Sequence, residues 1–460
     1  MSTKSESLGT EKISKLLAQQ AIPAAIGFAL MSINMVVDTI FVGKYIGNLA
    51  IGAISIVTPI AFLMSSFGMA IGIGGSSIVS RAFGAGDKEK AQVAFNNQIS
   101  LAVLIISFFA VISFVFMEPI LAAFGTEGDL IEPTNTYYYI TMIGVPFLSL
   151  AMTGNNNLRA EGKAKQAMMV LLIPSVLNMI LDAVFIAYLD WGMEGAAWAT
   201  TFSYFSSGAY IVFYFLSGRT ELKIIPKYFK FQKKIVNEIV ALGSISVLRQ
   251  GGISLLTIVL NHSLLKYGEI SGIGGENAIS VYGIINRISM MAFFPLIGIA
   301  QGLVPIAGYN YGAKKFDRVK EVIDLSNKVG FVIGIGLCSA ILLGSYQIPK
   351  LFLSEKDWAL TPSAADAIFY IFMASFLVVF QLVGASYYQA LGKAIPALLL
   401  TLTKQLFFLV PIVLILPSFF GINGIWYAFP VADVLSAAVC FYFLRIGLKR
   451  MMNRGKLNAL

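Results

Sequence analysis

Twelve apolar runs, separated by short charged or Gly/Pro-rich connections, dominate this sequence. Each run is long enough to cross a bilayer, because a helix of about 20 apolar residues spans the hydrocarbon. Residues are 57% hydrophobic and 12% charged, whereas soluble domains are about 25% charged. The sequence therefore predicts an all-α polytopic membrane protein with twelve transmembrane helices. The predicted spans are 18–43, 50–80, 94–117, 134–154, 166–189, 195–217, 237–266, 276–308, 325–346, 363–388, 396–417 and 422–445.

Lys and Arg are distributed unevenly among the connections. Of the 33 basic residues, 26 lie in the termini and connections on the side of the N-terminus, four lie on the other side, and three lie inside spans. Cytoplasmic connections carry the excess of positive charge, so both termini are predicted to be cytoplasmic. The net charge of +9 is then explained by topology, and no basic cluster with interleaved aromatic residues indicates nucleic-acid binding.

The two halves of the chain repeat each other. Residues 81–88 match 307–314 at an offset of 226, and residues 154–164 match 384–394 at an offset of 230. This duplication predicts two six-helix lobes related by a parallel repeat, with a central cavity between them near the bilayer midplane. We assign 1–217 to an N-terminal lobe, 218–236 to a basic cytoplasmic linker and 237–460 to a C-terminal lobe.

Four polar residues lie at membrane depth in the first half. Asn178 precedes Asp182 by one helical turn on the same face, and Asp38 and Thr200 reach a similar level, roughly 7–11 Å below the outer edge of the bilayer. An intramembrane carboxylate costs about 2.5–3.5 kcal/mol on insertion scales, so such residues usually serve function. The oxygen donors suit Na⁺ or a shared proton. The alternative is a buried hydrogen-bonded network that only joins predicted helices 1, 5 and 6.

The second half is a control for that interpretation. Alignment of the halves places Leu260 and Ile412 opposite Asp38 and Asp182, so the acids are absent from the duplicated positions. An acid needed only for folding would be expected in both halves. This difference favours a functional cation-binding site at Asp38, Asn178, Asp182 and Thr200.

Other charged residues also fall inside spans. Arg249, Arg287 and Asp433 each lie about twelve residues into predicted helices 7, 8 and 12, so they could form a charge cluster at one depth, with either a structural or a substrate-gating role. We expect Lys404 to extend its side chain toward the inner surface. Candidate substrate-cavity residues, chosen by their position on inner helices, are Met31, Asn34, Met35, Gln250, Met290 and Met291.

Two lobes around a cavity suit alternating access. The sequence contains no GxxxxGK[ST] loop for ATP, so the energy would come from an ion gradient. The sequence shows no paired nucleophile and base of the kind that would indicate an enzyme. The residues alone favour a secondary active transporter that is driven by H⁺ or Na⁺ and needs no cofactor beyond that ion. The alternative is a flippase or exporter for a lipid-linked or polyanionic substrate. That function would need a basic central cavity, and only Arg249 and Arg287 indicate one.

The motifs resemble those of the MATE (multidrug and toxic compound extrusion) family over essentially the full length. The resemblance rests on residues 34–43, the loop ending at 84–86 with its copy at 310–313, the loop 159–165, and residues 178–182. The resemblance implies a twelve-helix, two-lobe, V-shaped efflux antiporter of prokaryotic plasma membranes, which exports lipophilic organic cations or drugs in exchange for H⁺ or Na⁺. It also implies that Asp38, Asn178, Asp182 and Thr200 match the cation site of the N-terminal lobe. One branch of the family carries a Glu in helix 7, which is absent here. We expect the protein to act as a monomer on small organic cations.

Overall fold

A computed structural model describes residues 4–353 and 355–457 and shows an almost entirely helical chain. Twelve long helices, named α1 to α12, coincide with the twelve predicted spans. The first six are α1 (Ile13–Tyr45), α2 (Asn48–Gly84), α3 (Lys88–Val115), α4 (Ile131–Ala160), α5 (Ala164–Asp182) and α6 (Gly192–Leu216). The second six are α7 (Lys233–Ile270), α8 (Gly275–Gly312), α9 (Phe316–Leu343), α10 (Thr361–Phe372 and Val378–Ala390), α11 (Ala394–Leu402 and Val410–Ile415) and α12 (Ile422–Leu457).

Short helices occupy several of the connections. Short α-helices cover Lys4–Ser7, Met117–Ala123 and Pro417–Phe420, and 3₁₀ turns cover Gly128–Leu130, Pro226–Phe229, Pro349–Leu351 and Glu355–Leu360. A further 3₁₀ turn, Ser375–Leu377, divides α10. Two π-helices, Ala183–Tyr188 and Thr403–Leu409, continue α5 and divide α11.

Ten helical segments in the described part of the chain are long and apolar enough to cross a membrane. The two long helices outside that group are α4 and α6. Both bury many polar side chains against protein, including Thr134, Thr141 and Ser149 on α4 and Thr200 and Thr201 on α6. These polar side chains lower the hydropathy of both helices, and they are tolerated because they are buried against protein.

The chain divides into two compact units. Unit 1 contains the N-terminal segment that ends at Glu11, together with Ile26–Val247 and Gly308–Ala313. Unit 2 contains Lys12–Ala25, Leu248–Ala307 and the chain from Lys314 onward. Residues of α1, α7 and α8 therefore contribute to both units.

Close helix packing in unit 1 depends on glycine. α2 lies directly against α4, and a Cβ on Gly68 would collide with the backbone of Ser149. Thr153, one turn beyond Ser149, donates from Oγ1 to the Gly68 carbonyl at 2.8 Å. The contact therefore needs a residue without a side chain on α2 and a short hydroxyl on α4.

The segment between α6 and α7 is held on unit 1 by side chains of α3. Asn97 donates from Nδ2 to the carbonyls of Tyr228 (2.9 Å) and Lys230 (3.1 Å), and its Oδ1 accepts from the amide of Gln232 at 2.7 Å. Asn96 binds the carbonyl of Lys223 in the same way at 2.9 Å. Both asparagine side chains are fully buried, so this linker is an ordered part of unit 1.

A buried ion pair holds the start of the same linker. The Glu161 carboxylate, which follows α4, pairs with Lys163 and accepts from the amide of Leu222 at 2.8 Å. Lys163 also donates to the carbonyl of Arg219 at 2.7 Å. Burial raises the pKa of Glu161, although Lys163 and the backbone amides oppose the rise.

Candidate functional site

Two carboxylic acids from different helices meet inside unit 1. The side chains of Asp38 on α1 and Asp182 at the end of α5 lie close enough to interact with each other. Asp182 is completely buried and Asp38 is partly buried. Close carboxyl groups repel each other when both are ionised, so the pair requires either a shared proton or a cation.

Amide side chains connect the two helices at the same level. Asn34, one turn before Asp38, donates from Nδ2 to Oδ1 of Asn178 at 2.6 Å. Asn178 in turn lies 3.4 Å from Oδ1 of Asp182 through its Nδ2. The spacing of four residues in both helices thus turns the two pairs toward one another.

Tyr137 on α4 extends the cluster to α6. Its hydroxyl lies 3.2 Å from Oγ1 of Thr200, and either atom can be the donor. Tyr137 interacts electrostatically with both Asp38 and Asp182, and Tyr204 interacts with Asp38. Helices α1, α4, α5 and α6 therefore all contribute polar side chains to the cluster.

The local backbone changes where the cluster meets α5. Regular α-helical structure ends at Asp182, and the π-helix Ala183–Tyr188 begins with the next residue. π-helical turns are rare and occur frequently at functional sites. The wider turn lies directly beside the acid pair.

An apolar cluster surrounds these polar groups. Val42, Ile186 and Ala196 are buried members of it, and each lies one helical turn from Asp38, Asp182 or Thr200, respectively. The site is thus anchored by rigid packing on three helices, which fixes the positions of its oxygen atoms.

The acid pair has unused acceptor capacity. Oδ1 of Asp38 and Oδ2 of Asp182 are buried and accept no hydrogen bond within the described chain. The described basic side chains form no ion pair with either acid. Buried carboxylate oxygens without partners are strongly unfavourable, so the arrangement suits a proton or a small monovalent cation bound by carboxylate, amide and hydroxyl oxygens.

The structure brings together the four residues predicted as a cation site, with Thr200 joined through Tyr137. Sequence reasoning missed Tyr137 and Tyr204. Tyr137 lies in the run Tyr137, Tyr138, Tyr139 near the start of α4, where its depth resembles that of Asp38. Because tyrosine is common near membrane surfaces, the position of Tyr137 in the sequence did not indicate a role in the site.

The predicted substrate-cavity residues fall in both units. Asn34 belongs to the acid cluster, Met31 is half-buried and Met35 is exposed in unit 1. In unit 2, Gln250, Met290 and Met291 are exposed. Their role in substrate binding stays a prediction.

The predicted cluster of Arg249, Arg287 and Asp433 is wrong in its partners. Asp433 on α12 pairs with Lys404 on α11, whose Nζ lies 2.5 Å from Oδ1, and Oδ2 accepts from Ser375 at 3.1 Å. Arg249 and Arg287 form no ion pair with a described acid. Lys404, which we expected to extend its side chain toward the inner surface, binds Asp433 through its ammonium group. Distance along a helix can be counted from the sequence, but the direction in which each helix face points cannot.

The chain is similar to known proteins over nearly its full length. A family model described as MatE matches residues 23–184 and 252–414. The probable multidrug resistance protein YoeA of Bacillus subtilis (strain 168) is 26% identical over 471 residues, covering 99% of each chain. The multidrug export protein MepA of Staphylococcus aureus (strain MSSA476) is 25% identical over 438 residues, covering 94% of each chain.

Solved structures share the fold. One, described as the outward-facing conformation of a multidrug resistance MATE family transporter of the MOP superfamily, has a TM-score of 0.92 at 24% identity and covers 98% of this chain and 100% of its own. A MOP superfamily transporter from Pyrococcus furiosus has a TM-score of 0.92 at 24% identity, with 98% and 99% covered. The predicted twelve-helix fold is confirmed.

Proposed function

Since the chain belongs to the MatE family of membrane transporters, we propose that it is a secondary active antiporter that exports lipophilic organic cations in exchange for H⁺ or Na⁺. The observation that carries the proposal is the pair of Asp38 and Asp182, which has buried acceptor atoms without hydrogen bonds and no described basic partner. The names of the relatives, multidrug resistance and multidrug export proteins, support the substrate class.

The coupling ion binds from the external side in this proposal. The charge distribution predicts cytoplasmic termini, and in that orientation Asp38 lies near the outer end of α1. Occupation of the acid pair by the ion favours one conformation of the transporter, and release of the ion favours the other. Drug export follows if the substrate binds preferentially to the conformation from which the ion has left.

Transport by the purified protein in proteoliposomes tests this function. The uptake or release of a fluorescent lipophilic cation such as ethidium is measured under an imposed Na⁺ gradient and, separately, under a proton gradient. Asp38→Asn and Asp182→Asn keep the size of each side chain but remove its charge, and each is expected to reduce gradient-driven transport by at least about tenfold, equivalent to about 1.4 kcal/mol.

Asp129→Asn is the matched control, because Asp129 is exposed in the connection between α3 and α4. It should transport like the unmodified protein. Full gradient-driven transport by both site variants, with normal folding and amount, would overturn the proposal. The ion whose gradient drives transport identifies the coupling ion.

A second candidate is export of a lipid-linked or polyanionic substrate. Arg249 and Arg287 favour it, since neither has an acidic partner in the described chain and Arg287 is exposed. Replacing both with Gln would abolish transport of a polyanion while leaving transport of ethidium intact. The antiporter remains the better supported function, because two adjacent acids with buried, unpaired oxygens form its site.

A further inference from the structure

Unit 2 contains a second buried polar site, which the proposed function does not use. Asp433 on α12 is 1% exposed and lies at the centre of this site. Its two oxygens contact the ammonium group of Lys404 (2.5 Å) and the hydroxyl of Ser375 (3.1 Å). Cys338 on α9 is a further titratable side chain close to the pair.

The geometry of α11 changes at Lys404, which lies in a π-helix. The π-helix Thr403–Leu409 begins one residue before it. Gln381 on α10 donates from Nε2 to the carbonyls of Leu400 (3.3 Å) and Thr401 (3.1 Å), immediately before the π-helix. A side chain of the neighbouring helix thus occupies carbonyls where the regular hydrogen-bond pattern is interrupted.

The sites of the two units differ in charge. In unit 1, two acids meet beside a π-helix and have no described basic partner. In unit 2, one acid lies beside a π-helix and already holds a lysine. The unit 1 site therefore needs an external cation or proton, whereas the unit 2 site is neutral without one.

We propose that the Lys404 ammonium group is a tethered cation that fills the cation position of unit 2, so that only unit 1 binds a transported cation. A lysine ammonium is a compact charge on a flexible four-carbon stem, so it can take the place of a small monovalent ion. The Lys404 side chain is 16% exposed, whereas that of Asp433 is 1% exposed, so the carboxylate is more deeply buried than the lysine that binds it.

The proposal deepens the antiport function by setting its ion stoichiometry. It makes a specific prediction for variants without the lysine: Asp433 becomes a binding site for Na⁺ or a proton. The thermal stability of the purified full chain, measured over a series of Na⁺ concentrations and pH values, detects such binding without any transport assay, because a ligand that binds the folded state raises Tm.

The experiment first removes the site of unit 1. In the Asp38→Asn/Asp182→Asn protein, Tm should be insensitive to Na⁺ and to pH between about 5 and 8. Adding Lys404→Met should restore a rise of about 2–4 °C in Tm at high Na⁺ or acidic pH. Adding Asp433→Asn as well should abolish this rise. Lys404→Arg keeps the charge and should remain insensitive.

The outcomes separate this inference from the proposed function. Insensitivity of the Lys404→Met protein, while it remains folded, shows a purely structural ion pair and overturns the inference. If Lys404→Met does not accumulate but Lys404→Met/Asp433→Asn does, membranes are prepared at high Na⁺ and acidic pH: recovery supports the inference, and failure to recover overturns it. Failure of the proposed function would appear instead as ion-independent transport by the chain with Lys404 intact.

Discussion

Tyr137 and Tyr138 are adjacent in α4 and contact different parts of unit 1. Both rings are buried in the same apolar cluster. The Tyr137 hydroxyl lies beside Thr200 in the acid cluster, whereas the Tyr138 hydroxyl donates to the carbonyl of Ser113 on α3 at 3.0 Å. The pair therefore allows the role of a hydroxyl at the site to be separated from its role in packing.

We expect Tyr137→Phe to weaken cation or proton binding without unfolding the protein. The ring stays in place, and one hydrogen bond worth about 1 kcal/mol is lost, which corresponds to about a fivefold change in the ion concentration at half-maximal transport. The measurement is ion-driven uptake in proteoliposomes over a series of Na⁺ concentrations and pH values.

Tyr138→Phe is the control for this change. It removes a hydrogen bond of similar strength and should lower Tm comparably, yet leave the ion concentration at half-maximal transport unchanged. Equal shifts in both variants would show that the Tyr137 hydroxyl acts only through packing.

Sequence reasoning at the residue scale selected side chains that the structure brings together where the energetic signal was strong. A carboxylate within an apolar run is costly, so Asp38 and Asp182 could be identified, and helical spacing added Asn178. Tyr137 gave no comparable signal, because a phenol is inexpensive at the membrane surface. The partner of Asp433 could not be found either, since depth along α12 does not reveal which face of α11 turns toward it.

At the scale of secondary structure, the linker between α6 and α7 shows why composition misleads. Its many lysines indicated a basic linker and gave no sign of its contacts, but Asn96 and Asn97 satisfy five of its backbone groups from α3. The divisions of α10 and α11 were not predicted either. They depend on contacts such as that of Gln381 with the carbonyls of Leu400 and Thr401, which no local pattern contains.

We expect Asn97→Leu to release the second half of this linker. The change leaves two carbonyls and one amide without their buried partner, and at about 1 kcal/mol for each hydrogen bond the local opening equilibrium should shift by about 100-fold. Limited trypsin digestion of the purified protein, which can cut after Lys227 and Lys230, measures the opening.

Ser100→Ala is the matched control on α3, because the Ser100 hydroxyl donates only to the carbonyl of Asn96 within its own helix, at 3.0 Å. Its cleavage rate should equal that of the unmodified protein. If Asn97→Leu is cut no faster than Ser100→Ala, the linker is held by other contacts.

On the scale of the whole molecule, the duplication visible in the sequence produced two different charge arrangements. The twelve spans and the repeat could be predicted because apolar length and recurring glycines are local properties of the chain. The boundaries of the two units differ from those of the predicted lobes, since residues 12–25 join unit 2 while 218–247 and 308–313 join unit 1. Such exchanges depend on packing between segments that are distant in sequence.

Membrane orientation is the global property on which the coupling direction depends, and cysteine labelling can measure it. Lys230 is exposed in the linker between α6 and α7, and Asp129 is exposed between α3 and α4. The charge distribution predicts opposite sides of the membrane for them. A membrane-impermeant maleimide applied to intact cells should therefore label Asp129→Cys at once and Lys230→Cys only after permeabilisation.

The native thiols give little background in this experiment, because Cys338 and Cys440 are both buried. The unmodified protein is the control and should remain unlabelled. Odd-numbered helices run outward in this topology, so labelling of Asp129→Cys from outside also places the ends of α1 and α5, and with them Asp38 and Asp182, near the external face. The reverse pattern would place the acid pair near the cytoplasm, where an ion entering from outside could not reach it first, and the proposed direction of exchange would then be wrong.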